Sequence, residues 1–168
     1  TTYEYDYLIY NWLNKNNKYS NKKNLRYGEN PGQKSYLVSK NKLIDHYKLN
    51  GKEVSYNNIL DIDSGYNCLQ EFNEPTCIII KHTNPCGVSS SKNIKDAYVK
   101  AYNADSKSAY GGVVLLNRKI NKNLASLISK KFFEIIVATG FNKDALSILT
   151  INKKLILLKL NKVSINKK

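Results

Sequence analysis

Four short apolar runs, separated by stretches with helical periodicity, constrain this chain more than any other feature. Cys77-Ile78-Ile79-Ile80, Val113-Val114-Leu115-Leu116, Ile135-Ile136-Val137-Ala138 and Leu155-Ile156-Leu157-Leu158 hold no charged or amide position. A strand with one wet face alternates polar and apolar side chains, so unbroken runs imply strands covered on both sides. The intervening segments supply the covers. Ile59, Ile62, Tyr66, Leu69 and Phe72 recur at three-to-four spacing and predict a helix over 57–72, with Pro75 beyond its end. Ile94, Ala97, Tyr98, Ala101 and Tyr102 predict a second over 93–103. Leu124, Leu127, Ile128 and Phe132 predict a third over 122–132, all four facing inward, and 143–151 reads as a fourth. This alternation predicts a layered α/β domain with strands near 76–80, 112–116, 135–138 and 155–160.

The flanks are less patterned. Tyr7, Leu8, Tyr10, Trp12 and Leu13 fit one short helix face, and Asn14 to Asn24 reads as a polar linker. Residues 25–33 form a turn-rich loop, followed by a strand candidate over Ser35 to Val38. The final strand candidate precedes a basic tail and would need pairing partners. The chain has no methionine, which fits a piece of a longer protein. Neither a spanning run of roughly 20 apolar residues nor the basic and apolar regions of a signal peptide is present. Cys68, Cys77 and Cys86 form no C-x-x-C pair, which argues against a disulfide framework or a thiolate metal site. A reducing cytoplasm is the expected compartment.

The formal net charge of +14 raises a basic nucleic-acid-binding module as one reading. The basic residues are scattered, however, among asparagine, isoleucine and tyrosine. All four types have A/T-rich codons, so a skewed genome enriches them together. Much of the excess lysine then reads as solvated surface, compatible with a positive pocket for a phosphorylated substrate.

The densest chemistry follows the first apolar run, in Lys81-His82-Thr83-Asn84-Pro85-Cys86-Gly87. Carboxyl ends of strands are where α/β folds bring ligands to catalytic groups. Lysine supplies fixed positive charge, histidine moves a proton near neutral pH, and an asparagine amide orients a substrate. Pro85 and Gly87 are expected to turn the backbone here. In isolation the Lys-His pair fits a solvated turn about as well. Glycine-rich nucleotide signatures fail: Gly111-Gly112 does not extend to G-x-G-x-x-G, and no G-x-x-x-x-G-K occurs. The zinc deaminase signature comes close and fails. Pro85-Cys86 lacks the second cysteine, and Asn84 stands where the H-x-E glutamate would be. No G-x-S-x-G elbow is present, although spacing alone leaves a serine–histidine–acid triad open. His46 has no motif context, and Cys86 reads as a small buried residue.

Leu25-Arg26-Tyr27-Gly28-Glu29-Asn30-Pro31, the stretch Gly51 to Asp61, the Lys81–Gly87 segment and Asp105 to Gly112 occur in one order. Together they resemble the bifunctional purine biosynthesis family, in which a formyltransferase acting on aminoimidazole carboxamide ribonucleotide (AICAR) is fused to inosine monophosphate (IMP) cyclohydrolase. The resemblance runs from about Leu25 to about Leu158. It implies that 1–24 is the end of the cyclohydrolase domain with its connector. Residues 25–168 are then the N-terminal part of the formyltransferase domain. The implied fold is a three-layer α/β sandwich like that of cytidine deaminases, without zinc.

The implied reaction moves a formyl group from 10-formyltetrahydrofolate to the weakly nucleophilic 5-amino group of AICAR, which calls for a base and for charge at the formyl oxygen. His82 matches the family's proton-transfer histidine, Lys81 its neighbouring lysine, and Asn84 an orienter. Arg26, Tyr27, Gly111 and Glu134 match substrate-binding positions. The family implies a homodimer, and potassium and folate contacts in a later region not found in this sequence. Gly32 stands where the family commonly has histidine, and Tyr110 where phenylalanine is common. An incomplete, weakly active unit is the expectation, with a noncatalytic remnant and the nucleic-acid-binding module as alternatives.

Overall fold

The computed structural model describes residues 4, 8, 21–39 and 47–160. Glu4 and Leu8 are helical. The other positions of the proposed N-terminal helix face, His46 and the basic tail from residue 161 lie outside the described residues.

Eight strands and four helices are described. In chain order they are β1 (Asn21–Asn24), β2 (Tyr36–Ser39), β3 (Lys48–Asn50), α1 (Tyr56–Leu69), β4 (Thr76–Lys81), β5 (Asn84–Ser90), α2 (Ile94–Ala104), β6 (Val113–Leu116), α3 (Lys122–Ile128), β7 (Ile135–Ala138), α4 (Lys143–Leu149) and β8 (Ile156–Lys159). β1 and β2 pair antiparallel as a separate ribbon. The other six strands form one mixed sheet in the order β3-β8-β7-β6-β4-β5. β6, β7 and β8 run parallel; β4 runs against β6, so the C-terminal end of β4 meets the N-terminal ends of β6 and β7.

The unbroken apolar runs are covered on both faces, as their composition requires. Side chains alternate along a strand. Ile78, Ile80, Val113, Leu115, Ile135, Val137, Ile156 and Leu158 face one way, toward Ile59, Ile62, Tyr66 and Leu69 of α1. Cys77, Ile79, Val114, Leu116, Ile136 and Leu157 face the other way, toward apolar residues of α2, α3 and α4. The result is three layers. α1 approaches the sheet closely because Gly65 has no side chain: a Cβ there would collide with Leu115 and lie 2.9 Å from Ile80 Cγ1.

Helix starts draw on the chain's serines and asparagines. Ser55 caps α1 by accepting from the Asn58 amide at 3.2 Å, and the Asn58 side chain accepts from the Ser55 amide at 3.0 Å. Asn93 and Asn121 cap α2 and α3 through the amides three residues on, at 2.9 and 3.0 Å. Each satisfies a first-turn N–H that the helix itself cannot pair.

Several expectations need correction. The segment after β4 does not turn at Pro85 and Gly87. The reversal is a two-residue hairpin at His82-Thr83, and Asn84–Ser90 is itself a strand. Proline is tolerated there because β5 is an edge strand with a register shift opposite Ile79/Ile80. Residues 21–24, read as linker, pair with β2. The third helix stops at Ile128, and a turn from Lys131 N–H to the Ile128 carbonyl breaks the helical phase. Phe132 is therefore 48% exposed, and Phe133 points inward. The last strand, by contrast, has the expected pairing partners, β7 on one side and β3 on the other. Among the described residues, no helix is long and apolar enough to cross a membrane.

Candidate active site

His82 and Thr83 are the only non-glycine residues with positive φ among those described, at 53° and 63°. Two-residue hairpins favour this left-handed geometry because it matches strand twist, but they normally use Asn-Gly or Asp-Gly. For L-residues it costs roughly 1–2 kcal/mol each, and it is least tolerated by β-branched threonine. The hairpin is held from outside. The Thr83 N–H donates to Asp61 Oδ1 at 2.7 Å, and Ser64 Oγ donates to the Thr83 carbonyl at 2.8 Å. Both partners sit on α1, one turn apart. From within, Asn84 Nδ2 and Thr83 Oγ1 donate to the His82 carbonyl at 3.0 and 2.6 Å. His82 itself is exposed at the tip.

Lys81, His82 and Asn84 line an open depression of about 470 Å³ with Pro85, Cys86, Asp105 and Ser108. Asp105 and Ser108 arrive on the loop between α2 and β6, where Asp105 Oδ1 accepts the Ser108 N–H at 2.9 Å. Hydrogen bonds from Ser108 and the neighbouring backbone hold the Asp105 carboxyl below its ordinary range. Burial pushes the Cys86 thiol up, which disfavours a thiolate nucleophile. Lys81 Nζ donates to the Tyr110 carbonyl at 2.9 Å, which ties the β4 end to the Tyr110-Gly111-Gly112 turn. Gly111 has φ 75°, a conformation that suits glycine, and its N–H donates to the Phe132 carbonyl at 2.9 Å.

Glu134 stands at the same end of the sheet, just before β7. Its N–H donates to the Gly112 carbonyl at 3.1 Å. Asn58 Nδ2 donates to Glu134 Oε2 at 3.0 Å, and Lys52 Nζ lies 3.5 Å from Oε1. Asp61 lies within electrostatic reach of both His82 and Glu134. Its carboxyl is raised, chiefly by burial and partly offset by the Thr83 amide.

Arg26 and Tyr27 occupy a second depression of about 300 Å³, lined also by Gly32 and Gln33. The Arg26 guanidinium lies 4.7 Å from the Tyr27 ring centroid and donates to its hydroxyl at 3.0 Å. This loop docks on the start of α1: Arg26 N–H donates to the Val54 carbonyl, and Tyr56 N–H to the Tyr27 carbonyl, at 3.0 and 3.1 Å. The structure therefore gathers Lys81, His82, Asn84, Gly111 and Glu134 at one end of the sheet, where β4 finishes and β6 and β7 begin. Arg26 and Tyr27 lie in the separate depression and are tied to them through the loop before α1 and the start of that helix. Sequence reasoning did not assign roles to Asp61, Ser64, Asn58 and Lys52. The available signal was polar residues interrupting the apolar pattern of α1 at Asn58, Asp61 and Ser64.

The family model described as the AICARFT/IMPCHase bienzyme matches residues 1–168. A bifunctional purine biosynthesis protein PurH of Caldicellulosiruptor bescii is 51% identical over 143 residues, covering 81% of this chain and 28% of that relative. PurH of Staphylococcus epidermidis is 41% identical over 164 residues, covering 95% of this chain and 32% of the relative. PurH of Listeria monocytogenes is 44% identical over 145 residues, 83% of this chain and 28% of the relative. The chain thus spans under a third of the length of these curated relatives. On these matches, the chain belongs to the AICARFT/IMPCHase bienzyme family.

Proposed function

We propose that this chain supplies the first part of an AICAR formyltransferase site serving purine biosynthesis. The observation that carries the reading is the joining of the Lys81-His82 segment to Gly111 and Glu134 at one end of the sheet, through Tyr110 and α1. In this reading the 5-amino nitrogen of AICAR attacks the formyl carbon of 10-formyltetrahydrofolate. His82 takes the amine proton, Lys81 faces the negative charge developing on the formyl oxygen, and the bond to folate N10 breaks as N10 gains a proton. Asn84 braces the hairpin and orients substrate. Arg26 and Tyr27 hold the nucleotide, and Gly111 and Glu134 contact it where a glycine backbone without a side chain and a carboxylate meet the end of the sheet.

The three-layer arrangement supports a cytidine deaminase-like fold in which the Lys-His hairpin replaces metal chemistry. Residues 1–24 are the end of a cyclohydrolase domain, and 25–168 the first part of the formyltransferase domain. The working unit is a cytoplasmic homodimer. Its remaining folate and potassium contacts come from a later region, so the isolated chain is weakly active or inactive.

Calorimetric titration of the chain with AICAR and with duplex DNA over a salt series tests this reading. AICAR binding that is lost in Arg26→Ala supports it. Steeply salt-dependent DNA binding without AICAR binding favours the basic module instead. A folded chain that binds neither is a noncatalytic remnant.

A further inference from the structure

We infer that Asp61 is a positioning residue: by accepting the Thr83 N–H, it holds the His82-Thr83 hairpin in its left-handed form and so aims the His82 side chain. The inference rests on the catalytic reading of His82 for its functional consequence, but not for its structural part. Two consecutive left-handed residues, one of them β-branched, persist only where surrounding contacts over-determine them. Asp61 Oδ1 at 2.7 Å from the Thr83 nitrogen supplies one such contact, and Ser64 Oγ at 2.8 Å from the Thr83 carbonyl supplies another. Asp61 and Ser64 are three apart on α1 and so share one helix face.

That helix is itself fixed against the sheet, through Gly65 over Leu115 and Ile80. The Asp61 carboxylate therefore transfers the rigidity of the sheet and α1 to an exposed tip that has no packing of its own. Of the two left-handed residues, β-branched Thr83 bears the greater strain, so it has a specific chemical remedy. Glycine at 83 adopts the left-handed region at no steric cost and would relieve the dependence on Asp61.

The test uses four variants of the chain: Asp61→Asn, Asp61→Ala, Thr83→Gly and the double variant Asp61→Ala/Thr83→Gly. Backbone NMR shifts of residues 82 and 83 report whether the left-handed pair persists. The same variants, in single-turnover formyl transfer by an assembly completed with the remaining region of a relative, report its consequence. Asp61→Asn keeps an acceptor oxygen and should keep both the shifts and the rate within about threefold. Asp61→Ala should average the shifts toward ordinary loop values and lower the chemical step by about 10–100-fold, the scale of a misplaced catalytic group. Its substrate KM should be unchanged. Thr83→Gly alone should leave the shifts of residue 82 in place, and the double variant should recover most of the loss.

If Asp61→Ala leaves the residue 82 and 83 shifts unaltered, the inference is overturned whatever the activity. It is equally overturned if Asp61→Asn loses as much as Asp61→Ala, since charge rather than the hydrogen bond would then be at work, or if Thr83→Gly gives no rescue. If the unmutated assembly transfers no formyl group, the functional reading of the site fails. The NMR comparison still decides the role of Asp61. Where Asp61→Ala fails to fold by circular dichroism, recovery of folding in the Asp61→Ala/Thr83→Gly double variant supports the inference, and a double variant that stays unfolded overturns it.

Discussion

Asn58, in the first turn of α1, donates its side-chain amide to the carboxylate of Glu134 at the start of β7, 3.0 Å away and 76 residues later in the chain. The same side chain closes the cap of α1 by accepting from the Ser55 amide. One buried residue thus both starts the helix and holds the acidic group of the candidate site.

Asn58→Ala removes both bonds and leaves a buried amide unpaired. A loss of about 1–3 kcal/mol in unfolding free energy is expected, measured by urea denaturation. Asn58→Gln keeps a side-chain oxygen for the Ser55 amide, as a capping-box glutamine does, and should retain part of that stability. An unchanged midpoint in Asn58→Ala would mean that the cap and the Glu134 bond contribute nothing net.

Glu53 accepts from Lys23 at 2.6 Å and Lys48 at 2.7 Å, linking β1 and β3 to the loop before α1. Hydrogen bonds from these two lysines hold its carboxyl below the ordinary range. A depressed acid favours the folded state above its unfolded pKa, and that benefit is lost as pH falls through the lowered folded value. Glu53 is half-exposed, so only about 0.5 kcal/mol is expected from Glu53→Gln at pH 7 in low salt. The difference between variant and parent should shrink below about pH 4 and in high salt. A difference independent of pH would point to packing instead.

Gly65→Ala places a methyl group into Leu115 and against Ile80. Helix propensity alone favours the change by roughly 0.5–1 kcal/mol. Overpacking should win, at about 1–3 kcal/mol, because both neighbours are fully buried in the sheet. Thermal unfolding is the measurement, and a raised Tm would show that α1 can lift without cost.

In an assembly completed by the later region, His82→Ala should lower single-turnover formyl transfer by roughly 10²–10⁴-fold, the range for losing general acid–base catalysis. Lys81→Ala should lower it too, through lost charge stabilisation and through the lost bond to the Tyr110 carbonyl. His46→Ala should leave it near the parent rate. Full activity in His82→Ala would remove His82 from the mechanism.

The sequence by itself determined the layers. Unbroken apolar runs can only be strands buried on both faces, and the helical spacing of their neighbours says what buries them, so β4, β6, β7 and β8 are found within a residue or two of where the pattern puts them. It also determined that Lys81 and His82 stand at a strand end, because the apolar run stops there. Only the tertiary structure decided where the chain reverses. Pro85 and Gly87 look like turn residues, and an edge strand tolerates both. His82 and Thr83 are poor turn formers, and they turn because Asp61 and Ser64, about twenty residues earlier, supply the hydrogen bonds that hold them. β3 is three residues long, with too little pattern to read, and exists because β8 offers an unpaired edge. Phe133 rather than Phe132 faces the core because a turn after α3 resets the phase. Local periodicity reports which residues must be buried. The partners that stabilise an unfavourable local conformation come from distant parts of the chain, and only folding brings them together.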